Sequence, residues 1–227
     1  MKLNLALYSK GESGDLNAIQ SVRPVLITFS LNTFIKICLL DTGGRISEIQ
    51  KRLVRKGGYD FYKPLQQAVR AHSHGDHAKA MDLLDKPQSE VEKKHNQDAF
   101  AEFEKRFGSM TTLEAIDQSA TVRFADAGIA IKLDPLFGFL KSGSQNVYAL
   151  WPTKQPGLSQ RYGAVACHLL RRAYADSALG NRSFFFADLV ESKTYSEKQI
   201  TNNTNLILTT DITVSYTHLT LPTTPYV

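Results

Sequence analysis

The chain has 227 residues, of which 42% are hydrophobic and 22% are charged, and its formal net charge at pH 7 is +5. The length suits one large domain or two small ones, and the hydrophobic content is sufficient for a folded core. The only cysteines, Cys38 and Cys167, lie in apolar helical surroundings. This excludes a disulfide framework and predicts two small core residues in a reducing compartment.

The first half of the chain is predicted to be helical. A broad apolar surface between Pro24 and Leu40 indicates a helix near the centre of the core. Ser47 and Gln50 have the spacing of a capping box and open the next helix. The helices predicted in this half cover about 24–40, 47–56, 59–71, 76–85 and 89–106. The last is amphipathic, with Val91, Phe100, Phe103 and Phe107 facing inward.

From about Thr121 the hydrophobic period changes to that of strands. Two strands, Thr121–Ala125 and Ile129–Leu133, are predicted to form a hairpin around Gly128. The elements predicted after the hairpin are strand Val147–Trp151, helix Ser159–Asp176, strand Ser183–Val190 and a further strand beginning at Leu206–Leu208. The predicted fold class is therefore α+β: a helical region over 1–119 and a β-β-β-α-β unit over 120–212, which could form one domain together.

No targeting or membrane segment is predicted. The first residues are too short and polar for a signal peptide. The most apolar run, Pro24–Leu40, carries polar residues and falls short of the ~20 apolar residues that a membrane span needs. We therefore expect a soluble cytoplasmic protein without a membrane partner.

A dense histidine motif lies near the middle of the helical region. The residues are His72-Ser73-His74-Gly75-Asp76-His77, an HxHxDH pattern. It resembles the signature of metallo-β-lactamase-fold hydrolases, a family whose histidines and aspartate hold zinc and activate a bound water. The resemblance implies His72, His74 and His77 as zinc ligands and Asp76 as a ligand or general base.

The flanking sequence favours a different structure for this motif. The residues on both sides have helical spacing, and positions two apart on a helix point in widely different directions. Only His74 with His77, or His72 with Asp76, would then share a face. The sequence therefore favours a polar junction in which Gly75 ends one helix and Asp76 caps the next, with a zinc hydrolase as the alternative.

The order of elements in the second half resembles the core of PD-(D/E)XK nucleases. In that family carboxylates at strand ends hold Mg²⁺ and a lysine positions the attacking water. Asp134 follows the second predicted strand and Lys154 follows the third. The resemblance implies these two as candidate catalytic residues.

This sequence departs from the nuclease pattern at one important position. The residue two before Lys154 is Pro152, which cannot bind a metal. A complete E-x-K occurs at Glu191-Ser192-Lys193, but it follows the intervening helix, which is the wrong order unless the core is permuted. Glu191 and Lys193 are thus further candidates, and projection into solvent is the alternative for both.

The end of the chain resembles a sequence that is not natural protein. Val214–Val227 reads VSYTHLTLPTTPYV, and its first ten residues match the translation of a transposase-end sequencing adapter. This resemblance implies that the natural sequence is truncated near Ile212 and that 213–227 is an artefactual tail.

Three functions are compatible with these features. The favoured one is a degenerate, non-catalytic nuclease-like domain that binds nucleic acid or another protein, with no cofactor. The basic cluster of Lys51, Arg52, Arg55 and Lys56 would be a phosphate-contacting patch or a solvated helix face. The alternatives are a Mg²⁺-dependent phosphodiesterase and a Zn²⁺ hydrolase. The oligomeric state is left open.

Overall fold

The computed structural model describes residues 27–54 and 59–220, and this part of the chain combines α-helices with two β-sheets. The helices are α1 Leu31–Leu39, α2 Thr42–Val54, α3 Lys63–Ser73, α4 His77–Asp85, α5 Glu90–Phe103, α6 Gln160–Tyr174 and α7 Asn202–Thr220. The strands are β1 Ile27–Ser30, β2 Glu114–Ala115, β3 Ala120–Phe124, β4 Ile129–Leu133, β5 Phe137–Lys141, β6 Ser144–Trp151, β7 Ser183–Asp188 and β8 Lys193–Ser196. The predicted α+β class is confirmed.

The larger sheet has five strands in the order β2-β5-β6-β7-β8. Strands β6 and β7 run parallel, and α6 connects them. The other neighbours in this sheet are antiparallel. Alternate residues of β6 enter opposite layers: Val147, Ala149 and Trp151 pack in the α6 layer, while Tyr148 and Leu150 pack against helices α3 to α5. This alternation follows from the period of two along a strand.

The smaller sheet has three strands in the order β1-β4-β3. The hairpin predicted around Gly128 is confirmed, with Val122 opposite Ile131 in the antiparallel pair β3–β4. Gly128 has φ 59°, a left-handed conformation that a glycine adopts without strain. Strand β4 then leads through Asp134, Pro135 and Leu136 into β5 of the larger sheet.

The predicted helix over 24–40 begins later than expected. Ile27–Ser30 forms β1 instead and pairs in parallel with β4. The burial of these four residues alternates, with Ile27 and Phe29 buried and Thr28 and Ser30 exposed, which is a strand pattern. Helix α1 starts at Leu31, and its cap is Ser30, whose Oγ accepts a hydrogen bond from the backbone N–H of Thr33.

The strand predicted to begin at Leu206–Leu208 is wrong, because these residues lie in α7. The helix buries residues at the helical spacing i, i+4, i+7, i+8 and i+11. The residues buried along α7 are Thr204, Leu208, Asp211, Ile212 and Ser215. Three of them are polar, so the helical period could not be seen in the hydrophobic pattern alone.

Several sequence predictions fall partly or wholly outside the described residues. They concern Pro24, the pair Arg55 and Lys56, Gly57-Gly58, and the last part of the tail, 221–227. Inside the described part, Cys38 and Cys167 are buried and free, as predicted. No helix within 27–54 and 59–220 has the length and apolar character needed to cross a membrane.

Candidate functional site

A cleft opens where the two sheets meet, at the C-terminal ends of β4 and β6. It consists of two adjoining cavities, of about 260 Å³ and about 630 Å³, which share Ser30, Asn32, Asp60 and Gln66 in their walls. The amino end of α1 forms part of both walls. The Asn32 side chain fixes this end of the helix by donating a hydrogen bond to the carbonyl oxygen of Leu150, at 3.0 Å.

Basic side chains are distributed along the cleft. Lys132 lines the smaller cavity, and Lys36, Arg52 and Lys154 line the larger one. Lys132 lies opposite Ser30 in the β1–β4 pair, which places it beside the N-terminus of α1. Within the described residues, Arg52 Nε is buried without a hydrogen-bond partner. A helix N-terminus carries partial positive charge, so it adds to the positive potential of these side chains.

The acidic residues of the cleft are engaged within the protein. Asp134 Oδ1 accepts a hydrogen bond from Arg70 Nη2 at 2.6 Å. Asp60 accepts hydrogen bonds from the backbone N–H of Tyr62 and from Gln66 Nε2, both at 3.1 Å. The lining therefore holds four cationic side chains against two carboxylates, one of which is neutralised by Arg70.

Aromatic side chains complete the wall of the larger cavity. Tyr59, Phe61 and Tyr62 lie together just before α3. Tyr59 is 73% exposed, and its hydroxyl donates a hydrogen bond to Glu92. Phe61 and Tyr62 contact edge to face, with ring centroids 5.0 Å apart. Burial raises the pKa of the Tyr62 hydroxyl above its usual value.

The two residues predicted from the nuclease resemblance lie in this cleft. Asp134 lines the smaller cavity and Lys154 lines the larger one. Of the other pair, Glu191 lies in the turn between β7 and β8 and Lys193 begins β8, with Lys193 Nζ 3.6 Å from Glu191 Oε2. Both side chains are more than half exposed. The structure therefore brings Asp134 and Lys154 to one cleft, and Glu191 and Lys193 do not line it.

The histidine motif forms the junction of two helices, as the sequence favoured. Helix α3 ends at Ser73, Gly75 has φ 85°, and Asp76 caps α4 by accepting a hydrogen bond from the backbone N–H of Lys79. The Asp76 carboxylate is thus used as a helix cap. His74 lies apart from the other imidazoles, with Nε2 3.1 Å from Asp117 Oδ2.

His72 and His77 lie side by side across this junction, with their Nδ1 atoms 3.3 Å apart. An uninterrupted helix would have placed His74 with His77 or His72 with Asp76, but Gly75 interrupts the helix, so its period does not continue across the turn. Glu104 joins the two imidazoles: its Oε1 is 3.2 Å from His77 Nδ1 and 3.7 Å from His72 Nδ1. Glu104 was not among the predicted residues.

Glu104 begins a π-helical turn, Glu104–Gly108, that continues α5. Its neighbours Phe100, Phe103 and Phe107 belong to the inward stripe that the sequence predicted, and all three are buried. Val91, which was predicted to face inward with them, is 64% exposed. The sequence shows Glu104 as an acidic residue next to that stripe, which is the only signal that could have identified it. Its contact with His72 and His77, about thirty residues earlier, depends on how the helices pack and could not be predicted.

Comparisons with known proteins add little to this description. Scans of the sequence against protein-family models and against curated proteins gave no match. A search among solved structures matched, among others, a protein from Eubacterium rectale that has been proposed to be an exonuclease, with a TM-score of 0.37 and 11% identity over 94% of this chain and 88% of that chain. A similarity this low supports no conclusion about fold or activity.

Proposed function

We propose that the cleft between the two sheets binds single-stranded nucleic acid through its phosphate backbone, without cleaving it. The observation that carries this proposal is the combination of four cationic side chains with the exposed ring of Tyr59 and the partly exposed rings of Phe61 and Tyr62 along one groove. The cations are Lys36, Arg52, Lys132 and Lys154. Proteins that bind single strands combine a cationic groove with aromatic side chains on which bases stack.

The charge state of the cleft supports binding of an anion. None of these four cations lies within salt-bridge distance of a carboxylate in the described part of the chain. A cation without such a partner can contact a phosphate without first breaking an ion pair. The N-terminus of α1, beside Lys132, supplies backbone N–H groups with the same preference for anions.

The ion pair between Asp134 and Arg70 supports the hypothesis that the cleft does not cleave nucleic acid. Asp134 Oδ1 is held by Arg70 at 2.6 Å, and a Mg²⁺ ion would have to compete with that guanidinium. In the part of the chain that the structure describes, the only group of three His, Cys, Asp or Glu side chains close enough to share an ion lies elsewhere, at His72, His77 and Glu104. A nuclease that uses Asp134 with Lys154 is therefore the second candidate, and the experiment distinguishes it.

The test is fluorescence anisotropy with a labelled single strand of about 20 nucleotides, longer than the ~4–16 nucleotides that one such groove covers. The full chain is titrated at several salt concentrations between about 50 and 200 mM, because phosphate contacts release counterions and weaken as salt rises. We expect salt-dependent binding that the double substitution Lys132→Ala and Lys154→Ala weakens.

The matched control is the double substitution Lys79→Ala and Lys198→Ala. Both lysines are exposed and lie outside the cleft, so this variant has the same net charge as the cleft variant. Absence of binding at low salt, or equal loss in both double variants, would overturn the proposal. If the chain shortens the strand when Mg²⁺ or Mn²⁺ is added, and Asp134→Ala abolishes this shortening, the nuclease is favoured instead.

A further inference from the structure

The side chains of His72, His77 and Glu104 converge on a point between helices α3 and α4 and the π-helical turn after α5. The three atoms that face this point, two Nδ1 and one Oε1, are separated by 3.2, 3.3 and 3.7 Å. A tetrahedral zinc ion with ligands about 2.0–2.1 Å away holds its ligand atoms about 3.3 Å apart. The spacing of these three atoms is therefore close to that of three corners of a zinc site.

We propose that His72, His77 and Glu104 bind one Zn²⁺ ion, a site distinct from the nucleic-acid cleft and independent of the function proposed there. The donor set favours zinc over Mg²⁺ or Ca²⁺, because those ions prefer oxygen ligands and imidazole suits zinc and its neighbours in the transition series. Two imidazoles and one carboxylate form a ligand set that proteins use for zinc with an open position.

The surrounding structure holds the imidazole rings in place. The His72 ring packs edge to face on Phe100 and Phe103, with centroids 5.8 and 5.6 Å away. The His77 ring stacks on Phe100 at 6.4 Å. Side-chain packing that fixes ligand orientation lowers the entropy lost when a metal binds. The π-helical geometry that starts at Glu104 occurs often at functional sites, which is consistent with a metal ligand there.

The site is accessible to an ion and leaves room for a fourth ligand. His77 and Glu104 side chains are 56% and 34% exposed, while His72 is 16% exposed. A cavity of about 290 Å³ adjoins the two histidines and is also lined by Gly108, Met110 and Thr111. Three protein ligands leave the fourth position of a tetrahedral ion free, so we assign it to a water molecule or a small anion that enters through this cavity.

Zinc would bind the two histidines through their Nδ1 atoms, which lie 3.3 Å apart. The ion requires both Nδ1 lone pairs, so a proton carried by either Nδ1 must move to Nε2 of the same ring or to solvent when the ion binds. Because zinc competes with protons for the imidazoles, binding weakens as the pH falls.

The experiment uses the full chain after removal of metals with a chelator. Zinc binding is measured by calorimetry and by metal analysis after gel filtration, and Co²⁺ is used as a spectroscopic substitute whose visible absorption reports tetrahedral coordination. We expect one ion per chain and a tetrahedral cobalt spectrum. Loss of a residue that only hydrogen-bonds a metal ligand weakens metal binding by about 10–100-fold. His77→Ala and Glu104→Gln each remove a ligand itself, so each is expected to weaken zinc binding by more than this.

The chain provides a control for each variant. His74 is 57% exposed and belongs to the same motif, but its imidazole is directed to Asp117, so His74→Ala should leave zinc affinity unchanged. Glu102 lies two residues before Glu104 and contacts Ser192 and Lys105. The Glu102→Gln variant should therefore bind zinc with the affinity of the unmodified chain.

Folding of the variants is checked separately, by thermal unfolding without metal. Because His77 is more exposed than His72, His77→Ala should remain folded, while zinc should raise the unfolding temperature of the unmodified chain and not that of this variant. The proposal is overturned if the unmodified chain binds less than one ion, or if His74→Ala reduces binding as much as His77→Ala, which would indicate adventitious surface binding.

Discussion

Arg45 and Asp211 form an ion pair that joins helices α2 and α7, with Arg45 Nη1 2.9 Å from Asp211 Oδ1. The two side chains are only 16% and 9% exposed. The other carboxylate oxygen, Oδ2, accepts a hydrogen bond from the Tyr162 hydroxyl of α6 at 2.9 Å. One carboxylate therefore connects three helices.

The first prediction concerns the removal of this carboxylate. Asp211→Ala leaves the largely buried Arg45 guanidinium without its carboxylate partner, and breaking such a pair costs about 3 kcal/mol. We expect the free energy of unfolding, measured by urea denaturation, to fall by about this amount. Lys51→Ala, which breaks the exposed pair of Lys51 with Glu48, should change it by less than about 1 kcal/mol. Equal effects would contradict the assigned role of Asp211.

The second prediction concerns Gly163, near the start of α6. A Cβ at this position would lie 2.6 Å from Cδ2 of Tyr195, because the helix backbone packs directly on that ring. Replacing a helical glycine by alanine normally stabilises a helix by about 1 kcal/mol. Here overpacking should dominate, and we expect Gly163→Ala to lower the free energy of unfolding by about 1–3 kcal/mol.

The control for this substitution is Gly43→Ala, in α2. The nearest atom to a Cβ there is 3.8 Å away, so only the gain in helix propensity remains. We expect a stability increase of up to about 1 kcal/mol in the same denaturation experiment. A stabilising effect of Gly163→Ala would show that α6 does not approach Tyr195 as closely as described.

The third prediction concerns Asp188, at the end of β7. Its side chain is 1% exposed, and burial raises the pKa of its carboxyl above the ordinary value of 3.8. Oδ1 accepts hydrogen bonds from the backbone N–H groups of Val190 and Glu191, whereas Oδ2 is buried without a partner among the described residues. A carboxyl with a raised pKa contributes most to stability at low pH, where it is protonated, and this contribution is lost as the pH rises from 3.8 through the folded-state pKa.

The measurement is the stability of Asp188→Asn relative to the unmodified chain at a series of pH values. Asparagine keeps an oxygen for the two N–H groups and cannot ionise, so the unmodified chain should lose stability relative to this variant as the pH rises above about 4. Asp188→Ala leaves both N–H groups unpaired and should be less stable by about 1–3 kcal/mol. A difference between Asp188→Asn and the unmodified chain that does not vary with pH would contradict the raised pKa.

Much of the fold was predictable wherever the hydrophobic pattern and the turn residues indicated the same structure. The β3–β4 hairpin has alternating residues and a glycine at its left-handed position, and helix α6 has a wide apolar face. Strand β1 was missed because Ile27 and Phe29 continue directly into the apolar surface of α1, so that its period of two was hidden. Helix α7 was missed because its buried face is partly polar.

The candidate sites were predictable only in part. Asp134 and Lys154 were identified from strand ends, and both line the cleft. Their surroundings could not be predicted, because Asp134 is neutralised by Arg70, which lies 64 residues earlier in the sequence, on helix α3. The cluster at His72 and His77 likewise depends on a turn conformation and on Glu104, neither of which a helical period reveals.

The last prediction separates the stacking of bases in the cleft from the attraction of phosphates. Tyr59 is exposed in the wall of the larger cavity, and its hydroxyl contacts Glu92. Tyr59→Phe keeps the ring and removes the hydroxyl, so it should bind the labelled single strand as the unmodified chain does. Tyr59→Ala removes the ring, and the loss of one stacked base should weaken binding by about 1–3 kcal/mol, or about 5- to 150-fold.

The salt dependence of binding distinguishes this effect from the loss of a charge. Tyr59→Ala should leave the slope of log K against log salt unchanged, whereas Lys132→Ala should reduce it by about 0.7, the contribution of one phosphate contact on a single strand. Both quantities come from one anisotropy titration series. If Tyr59→Phe weakens binding as much as Tyr59→Ala does, the hydroxyl and its contact with Glu92 account for the effect, and the ring does not stack on a base.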